Sequence, residues 1–342
     1  ADIFLIHNRD IFRSIDDSVV HTINNRPVML RRARGYVPSP VMMENTSECQ
    51  ILAAGSDLKN TFCLVKGNRL IVSEHTGDLE DASVYRNYSR SIEQLCGLFD
   101  IRPELFACDL HPQYFSSRHI RTMSTKKTVK VQHHWAHIAS VMAEHGLSRP
   151  VIGIAADGTG YGDDGAVWGC ECLIASLHGY ERFAHLAYFD IPGADRASIE
   201  AVRPLTSLLR QACGRDFNLK DFSWLLERIE PDREKLRIIN EQLTKNINTV
   251  RTSSLGRVFD AVAAAAGLGN CNRYDAELPM ALEAAAAGET DTEGVYGFSI
   301  REKGPLPLQI DITAMIREIT ADIRRNRPVS ETAAAFHRTL AE

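Results

Sequence analysis

One pattern, used twice, narrows what this chain can fold into. An apolar strand ending in small residues, a polar glycine/aspartate loop and a returning strand occur in "ILAAGSDLKNTFCLVKG" from residue 51, and again in "VIGIAADGTGYGDDGAVWGCECLIAS" from residue 151. Internal repetition of a supersecondary unit marks two lobes of one design, and two lobes leave a cleft in which ligands collect. In the first half, strands are expected at 50–57, 60–67 and 69–77, then a helix at 81–99, a strand at 104–111, a short helix, a strand at 128–132 and a helix ending near His145 and Gly146. That order predicts a mixed sheet with helices on its faces.

In the second half "RFAHLAYFD" (182–190) supplies a third strand, and Leu/Ile periodicity predicts helices over about 198–248. "SSLGRVFDAVAAAAGLG" (253–269) reads as a helix opened by serine and closed by glycine. The first half closes on two strand–helix units with no counterpart before Glu342, so the second lobe is expected to be incomplete. Residues 1–45 resemble neither half: two strand-like pieces and a basic run lead into a Pro-punctuated linker, "VPSPVMMENTSEC", at 37–49.

Three histidines stand within five positions of "QHHWAH", where a strand turns into a helix. His133 and His137, four apart, share a helix face and can aim two nitrogens at one point, whereas His134 is expected to point elsewhere. Spacing alone favours helix-terminal histidines that pack or hydrogen-bond, because two ligands do not make a metal site. A third ligand is offered by Asp157, at a strand end. If the lobes face each other, a His-His-carboxylate set suited to zinc or iron results.

"DGTGYGDDG" (157–165) packs four glycines and three aspartates into nine positions, which suits close backbone approach to phosphate oxygens, although a plain hairpin turn has the same composition. It matches neither a Walker motif nor the dinucleotide fingerprint. The corresponding loop of the first half, "GSDLKN", offers Lys59 as a phosphate contact or a solvated lysine, and "CDLHPQY" places Asp109 and His111 at a strand end.

With a net charge of −5 the chain has no bulk basic field to draw it to nucleic acid. No run approaches the roughly 18 apolar residues of a membrane span, and the N-terminus lacks a signal peptide's pattern, so a cytoplasmic setting is expected. Eight cysteines without a C-x-x-C pair read as buried free thiols. The start without methionine and the stop in mid-helix suggest a fragment.

Taken together, "QHHWAH", "DGTGYGDDGAVWGCE" and "SSLGRVFDAVAAAAGL" resemble the TsaD-like transferase portion of the HypF carbamoyltransferases of nickel-iron hydrogenase maturation. "HNRDIFRSIDDSVV" and "LRRARGYVPSP" resemble the end of the YrdC-like domain that precedes it in that family. The resemblance implies a two-lobed α/β fold of the actin, Hsp70 and sugar-kinase group, with ribonuclease H-like duplicated lobes. It implies domains at 1–45 (end of the YrdC-like domain), 46–148 (first lobe) and 149–342 (second lobe, truncated).

It further implies that ATP and carbamoyl phosphate give carbamoyl-adenylate, whose carbamoyl group passes to the C-terminal cysteine thiol of HypE with loss of AMP. Carried residue by residue, the family's metal set falls on His133, His137 and Asp157, for a divalent zinc or iron ion. Its nucleotide loop falls on Gly158, Thr159, Gly160 and Gly162, and its nucleotide-facing helix start on Gly256, Arg257 and Asp260. His111 is a candidate to help deprotonate the acceptor thiol. "YDAELPM" (274–280) departs from the family's Tyr-Glu-Gly-Gln-like turn, and the family's last portion, with a further metal-binding aspartate, has no counterpart. The alternatives are a tRNA threonylcarbamoyl transferase, which shares the lobes and the histidine pair, and a non-catalytic nucleotide-binding module of the sugar-kinase or Hsp70 type.

Overall fold

The computed structural model describes residues 2–123, 127–289, 294–301 and 307–342. They form two compact units, one of residues 1–133 and 140–147, the other of 134–139 and 148–342.

The first unit opens with a hairpin, β1 (Val19–Ile23) and β2 (Arg26–Arg31). Its two turn residues, Asn24 and Asn25, both have positive φ (50° and 59°), the conformation that keeps a two-residue hairpin in step with strand twist. A four-stranded sheet follows, ordered β4-β3-β5-β6, with β3 at Val41–Ala53, β4 at Cys63–Val72, β5 at Leu105–Asp109 and β6 at Thr128–Val131. β3 runs antiparallel to β4 and parallel to β5, giving the mixed sheet the sequence predicts.

Two expectations are corrected here. The segment expected as a linker enters β3 at Val41, because Val41 and Met42 pair with Leu70 and Arg69. Residues 60–67 and 69–77 supply one strand, not two: Gly67, at φ +62, is absorbed as an irregularity of the β3–β4 ladder instead of turning the chain back.

Helix α1 (Ala82–Leu98) is capped by Asp81, whose side chain accepts from the Ser83 and Val84 amides. It buries Tyr88, Ser91, Ile92 and Leu95 at helical spacing against Leu52, Leu64, Ile71 and Phe106 of the sheet. Helices α2 (Phe115–Met123) and α3 (His133–Glu144) follow β5 and β6.

In the second unit β7 (Val151–Tyr161) and β8 (Val167–Ser176) pair antiparallel, and β9 (Gly179–Leu186) continues the meander. The expected loop at 157–165 is half strand: β7 continues to Tyr161 through a register shift between Ala156 and Gly160, leaving a tight turn at 162–166. "RFAHLAYFD" also divides. Its first part belongs to β9, and its last residues begin β10 (Phe189–Pro192), which pairs with a different neighbour.

Helices α4 (Arg196–Ile199), α5 (Val202–Cys213), α6 (Ser223–Ile229) and α7 (Arg233–Lys245) fill the expected helical stretch. β11 (Thr249–Thr252) then leads into α8 (Leu255–Ala265), followed by α9 (Glu277–Ala286). Edge strand β12 (Ser299–Arg301) precedes β13 (Leu308–Asp311), α10 (Thr313–Arg324) and α11 (Val329–Ala341).

β11 joins β8 in parallel and β13 joins β9 in parallel, so this unit contains two strand–helix units, β11–α8 and β13–α10. Strands of four residues are too short to show a period, which is why the sequence hides them. Their helices enclose one core of Leu205, Leu208, Leu209, Val258, Val262 and Phe336. No helix among the described residues is long and apolar enough to cross a membrane.

Candidate metal centre and its surroundings

In the first unit, Asp109 ends β5 with both oxygens engaged. Oδ1 accepts the His111 amide at 2.8 Å, and Oδ2 lies 2.7 Å from His133 Nδ1. A carboxylate on Nδ1 keeps the proton there and gives Nε2 the lone pair a metal ligand needs. His111 itself stacks on Tyr114 and accepts the Gln113 amide on Nδ1.

The equivalent of the glycine loop in this unit is spent internally, because Asp57 caps α2 by accepting from the Phe115 and Ser116 amides at 2.7 and 2.9 Å. Lys59 is exposed on that loop with φ +48.

In the second unit, residues 134–139 of α3 dock on β7 and β8. Ile138 rests on Gly153, where an added Cβ would lie 2.4 Å from Ile138 Cδ1, and Trp135 Nε1 donates to the Ser176 carbonyl at 2.8 Å. This seating brings His137 Nε2 to 3.7 Å from Asp157 Oδ2. His134 does not point elsewhere as expected: it is buried with its ring 6.0 Å from Trp168, and its Nε2 lies 3.8 Å from the same oxygen. Asp157 Oδ1 accepts the Gly158 amide at 2.6 Å, which fixes the carboxylate so that Oδ2 faces the histidines.

Helix α3 and strand β7 thus bring together ligand atoms of His133, His137 and Asp157, all within 4.8 Å of one another. It is the one such cluster of His, Cys, Asp and Glu among the described residues. Ligand bonds of about 2.0–2.1 Å in a tetrahedron place donor atoms roughly 3.3 Å apart. The 3.7 Å between His137 and Asp157 is close to that, and two imidazoles with a carboxylate are a donor set for zinc or iron, so the residues present fit a metal.

Beside Asp157 lies the start of α8. Ser254 Oγ accepts the Arg257 amide at 3.1 Å as an N-cap and donates to the Gly158 carbonyl at 2.5 Å. Contact here is backbone to backbone. A Cβ on Gly256 would stand 3.0 Å from Gly158 Cα, and one on Gly169 would stand 2.7 Å from Ser254 Cα and 2.8 Å from the Asp157 carbonyl oxygen.

The other expected nucleotide residues separate by burial. Gly158 is partly exposed and Thr159 exposed, whereas Gly160 and Gly162 are buried. Gly162 makes room for Trp168, whose Nε1 would be 2.1 Å from an added Cβ. Asp260 is wholly buried; Arg257 Nε donates to it at 2.6 Å and Asn272 Nδ2 at 2.9 Å. Burial pushes its carboxyl up against the pull of Arg257, and what the residue does is position Arg257. The divergent stretch 274–280 turns through Ala276 (φ +59) into α9.

A buried polar network that sequence patterning does not reveal stiffens this corner. Glu171 (1% exposed) accepts from Arg182 Nε at 2.7 Å and from Ser253 Oγ at 2.5 Å. The Arg182 guanidinium lies 3.7 Å over the Trp168 ring, and Trp168 Nε1 donates to Asp164 at 2.9 Å. The only signal in the sequence is alternation: Glu171 and Arg182 occupy inward positions of apolar strands.

Beneath the network, His185 (2% exposed) is pushed down to about 4 by burial and by the charge of Arg182, against the bond of its Nδ1 with the Leu186 carbonyl. Its folded pKa is below the unfolded value of about 6.5, so the unfolded chain takes up the proton first. The stability from keeping it neutral is complete above about pH 6.5 and falls as pH drops towards 4, by about 3 kcal/mol. Urea unfolding of His185→Gln is expected to show a shallower loss between pH 6.5 and 4 than the unsubstituted chain; equal slopes would refute this assignment.

The two sheets with their strand–helix additions and the His-His-Asp cluster between helix and strand define an α/β protein of the actin-like class. A family model described as "Carbamoyltransferase, Kae1-like Domain, second subdomain" matches residues 153–342, and "HypF Kae1-like domain" matches 46–144. The chain is 36% identical to Carbamoyltransferase HypF of Synechocystis over 99% of its own length and 45% of that protein. It is 33% identical to a Carbamoyltransferase HypF homolog of Cupriavidus necator, covering 85% of this chain and 74% of the relative.

A crystal structure of full-length HypF in the phosphate- and nucleotide-bound form superposes with a TM-score of 0.90 at 38% identity, over 97% of this chain and 42% of that one. HypF of T. kodakarensis superposes at 0.85 with 31% identity, over 98% of this chain and 44% of that one. The chain belongs to the HypF carbamoyltransferase family, and it spans less than half the length of the Synechocystis relative.

Proposed function

We propose that this chain carries the transfer step of a HypF-type carbamoyltransferase: it takes carbamoyl-adenylate, made from ATP and carbamoyl phosphate, and passes the carbamoyl group to the C-terminal cysteine thiol of HypE. The observation that carries the reading is the His133–His137–Asp157 cluster with Asp109 behind it, in a chain of this family. In this reading residues 1–45 are the end of a YrdC-like domain, 46–148 the first lobe and 149–342 the second.

His133, His137 and Asp157 would hold a divalent zinc or iron ion. An ion held there would supply Lewis acidity toward the mixed anhydride. Asp109 holds His133 in the tautomer that binds. The exposed edge at Gly158 and Thr159 lets a nucleotide approach the backbone, and Arg257, held by Asp260, presents positive charge at the start of α8. Gly256 permits the same close approach. Gly160 and Gly162 shape the hairpin from beneath, and Lys59, exposed on its own loop, is the first unit's candidate for a phosphate contact.

The nucleophile comes from the acceptor. Burial pushes the Cys63 and Cys170 thiols up to about 12 and raises Cys96, Cys172 and Cys213, the opposite of activation. In the transfer, the acceptor sulfur bonds to the carbamoyl carbon, the carbon–oxygen bond to the AMP phosphate breaks, and AMP leaves with the electron pair. The thiol proton passes to a base, for which His111 is the candidate.

The test uses a full-length protein containing this chain, mixed with ATP, carbamoyl phosphate and HypE. Mass spectrometry of HypE's C-terminal peptide is expected to show a carbamoyl adduct of about 43 Da, following from addition of CONH₂ in place of hydrogen. No adduct from an unsubstituted, nucleotide-binding protein would overturn the proposal.

A further inference from the structure

Away from the metal cluster, the second unit contains a cavity of about 370 Å³ bounded by α7, by the segment preceding α4 and by the start of α5. Its wall includes Gly193, Asp195, Arg196, Arg203, Gln242 and Asn248. The size falls in the range of small-molecule sites.

The informative residue is Arg203, only 7% exposed. A buried guanidinium needs its N–H groups paired. Its Nε donates to Glu200 at 2.6 Å, and Nη1 reaches Gln242 Oε1 at a long 3.4 Å, while Nη2 has no protein partner among the described residues. Glu200 also lies 3.2 Å from Lys235 Nζ, which has a closer partner in Glu230 at 2.6 Å.

The backbone is shaped around this side chain. Gly193 has φ +91, and an added Cβ there would lie 2.7 Å from Arg203 Nη1. The Gly193 amide donates to the Asn248 carbonyl at 2.8 Å, which closes the rim. The side chains of Arg196 and Asn248 and the amide nitrogen of Gln242 also have no protein partner among the described residues. Donors therefore outnumber acceptors on the wall, Asp195 being the one acid there.

We propose that this cavity is a binding site for a small oxyanion, a phosphate or carboxylate group, gripped by Arg203 and Arg196 with Gln242 and Asn248 at its flanks. The Arg203–Glu200–Lys235–Glu230 arrangement is charge-balanced, so recognition rests on directed hydrogen bonds and favours a compact, planar or tetrahedral anion over a diffuse polyanion.

The test is calorimetric titration of the chain with inorganic phosphate and, separately, with acetate. One site is expected for at least one of the two, the stronger anion identifying the source. Arg196→Gln, at an exposed residue whose loss spares the core, and Gln242→Glu, which places a carboxylate against Arg203, are each expected to weaken it at least tenfold. His137→Ala is expected to leave it unchanged, which separates this cavity from the metal centre. The proposal is overturned if neither anion gives a saturable heat, if Gln242→Glu binds as tightly as the unsubstituted chain, or if binding survives Arg196→Gln and disappears in His137→Ala. Circular-dichroism melting of each variant confirms that it is folded when titrated.

Discussion

A chain in which His133 and His137 are both alanine is expected to lose its metal. The cluster has three protein donors on one helix and one strand, so the double substitution leaves Asp157 alone, and affinity for zinc should fall by at least about 1,000-fold, since even the loss of an outer-shell partner costs 10–100-fold. Metal analysis after dialysis should find less than a tenth of an equivalent, and the carbamoyl adduct on HypE should disappear in the full-length protein. His137 is exposed, whereas His133 is 13% exposed and bonded to the 7%-exposed Asp109, so some urea stability is expected to be lost with the metal, and circular-dichroism melting checks that the variant is folded. Asp109→Asn separates orientation from ligation: all three donors remain, yet affinity should fall within the 10–100-fold range. If the double variant keeps both metal and transfer, the cluster is not the metal centre.

The second large effect is expected from one methyl group. Gly169→Ala puts a carbon at 2.7 Å from Ser254 Cα and 2.8 Å from the Asp157 carbonyl oxygen. Both neighbours are backbone, so no side chain can swing aside. Either the start of α8 or the end of β7 must move, at a cost of about 1–3 kcal/mol or more. Because the displaced carbonyl belongs to the residue that faces His137, metal affinity should fall together with urea stability. A variant as stable as the parent with unchanged zinc affinity would show that the corner is pliable.

Spacing puts His133 and His137 on one helix face but by itself favours packing histidines over ligands, and Asp157, expected at a strand end, lies within β7, which runs on to Tyr161. The partner of His133 was not legible. Asp109 is 24 positions away and reaches it across the β5–β6 edge, a contact that only the folded chain creates. His134 was misread for the complementary reason: its rotation around the helix was correctly placed off the 133/137 face, but Trp168 and Asp157 stand on that side too.

Glycine carried two meanings that its spacing cannot separate. At Gly169 and Gly256 it admits a close backbone approach; at Gly162 it makes room for an indole. The hairpin looked like a loop because glycine is a poor strand former, yet the β7–β8 ladder tolerates it through a shift in register.

The eight cysteines have a practical consequence. All are free, and Cys49 alone is exposed. A thiol reagent applied to the native chain should therefore report one fast stoichiometric event followed by a slow remainder, with the buried Cys108 among the most reluctant. Loss of packing would release the remainder together. The ratio of fast to total thiols is thus a built-in integrity gauge, readable in a cuvette on any variant before its chemistry is assayed.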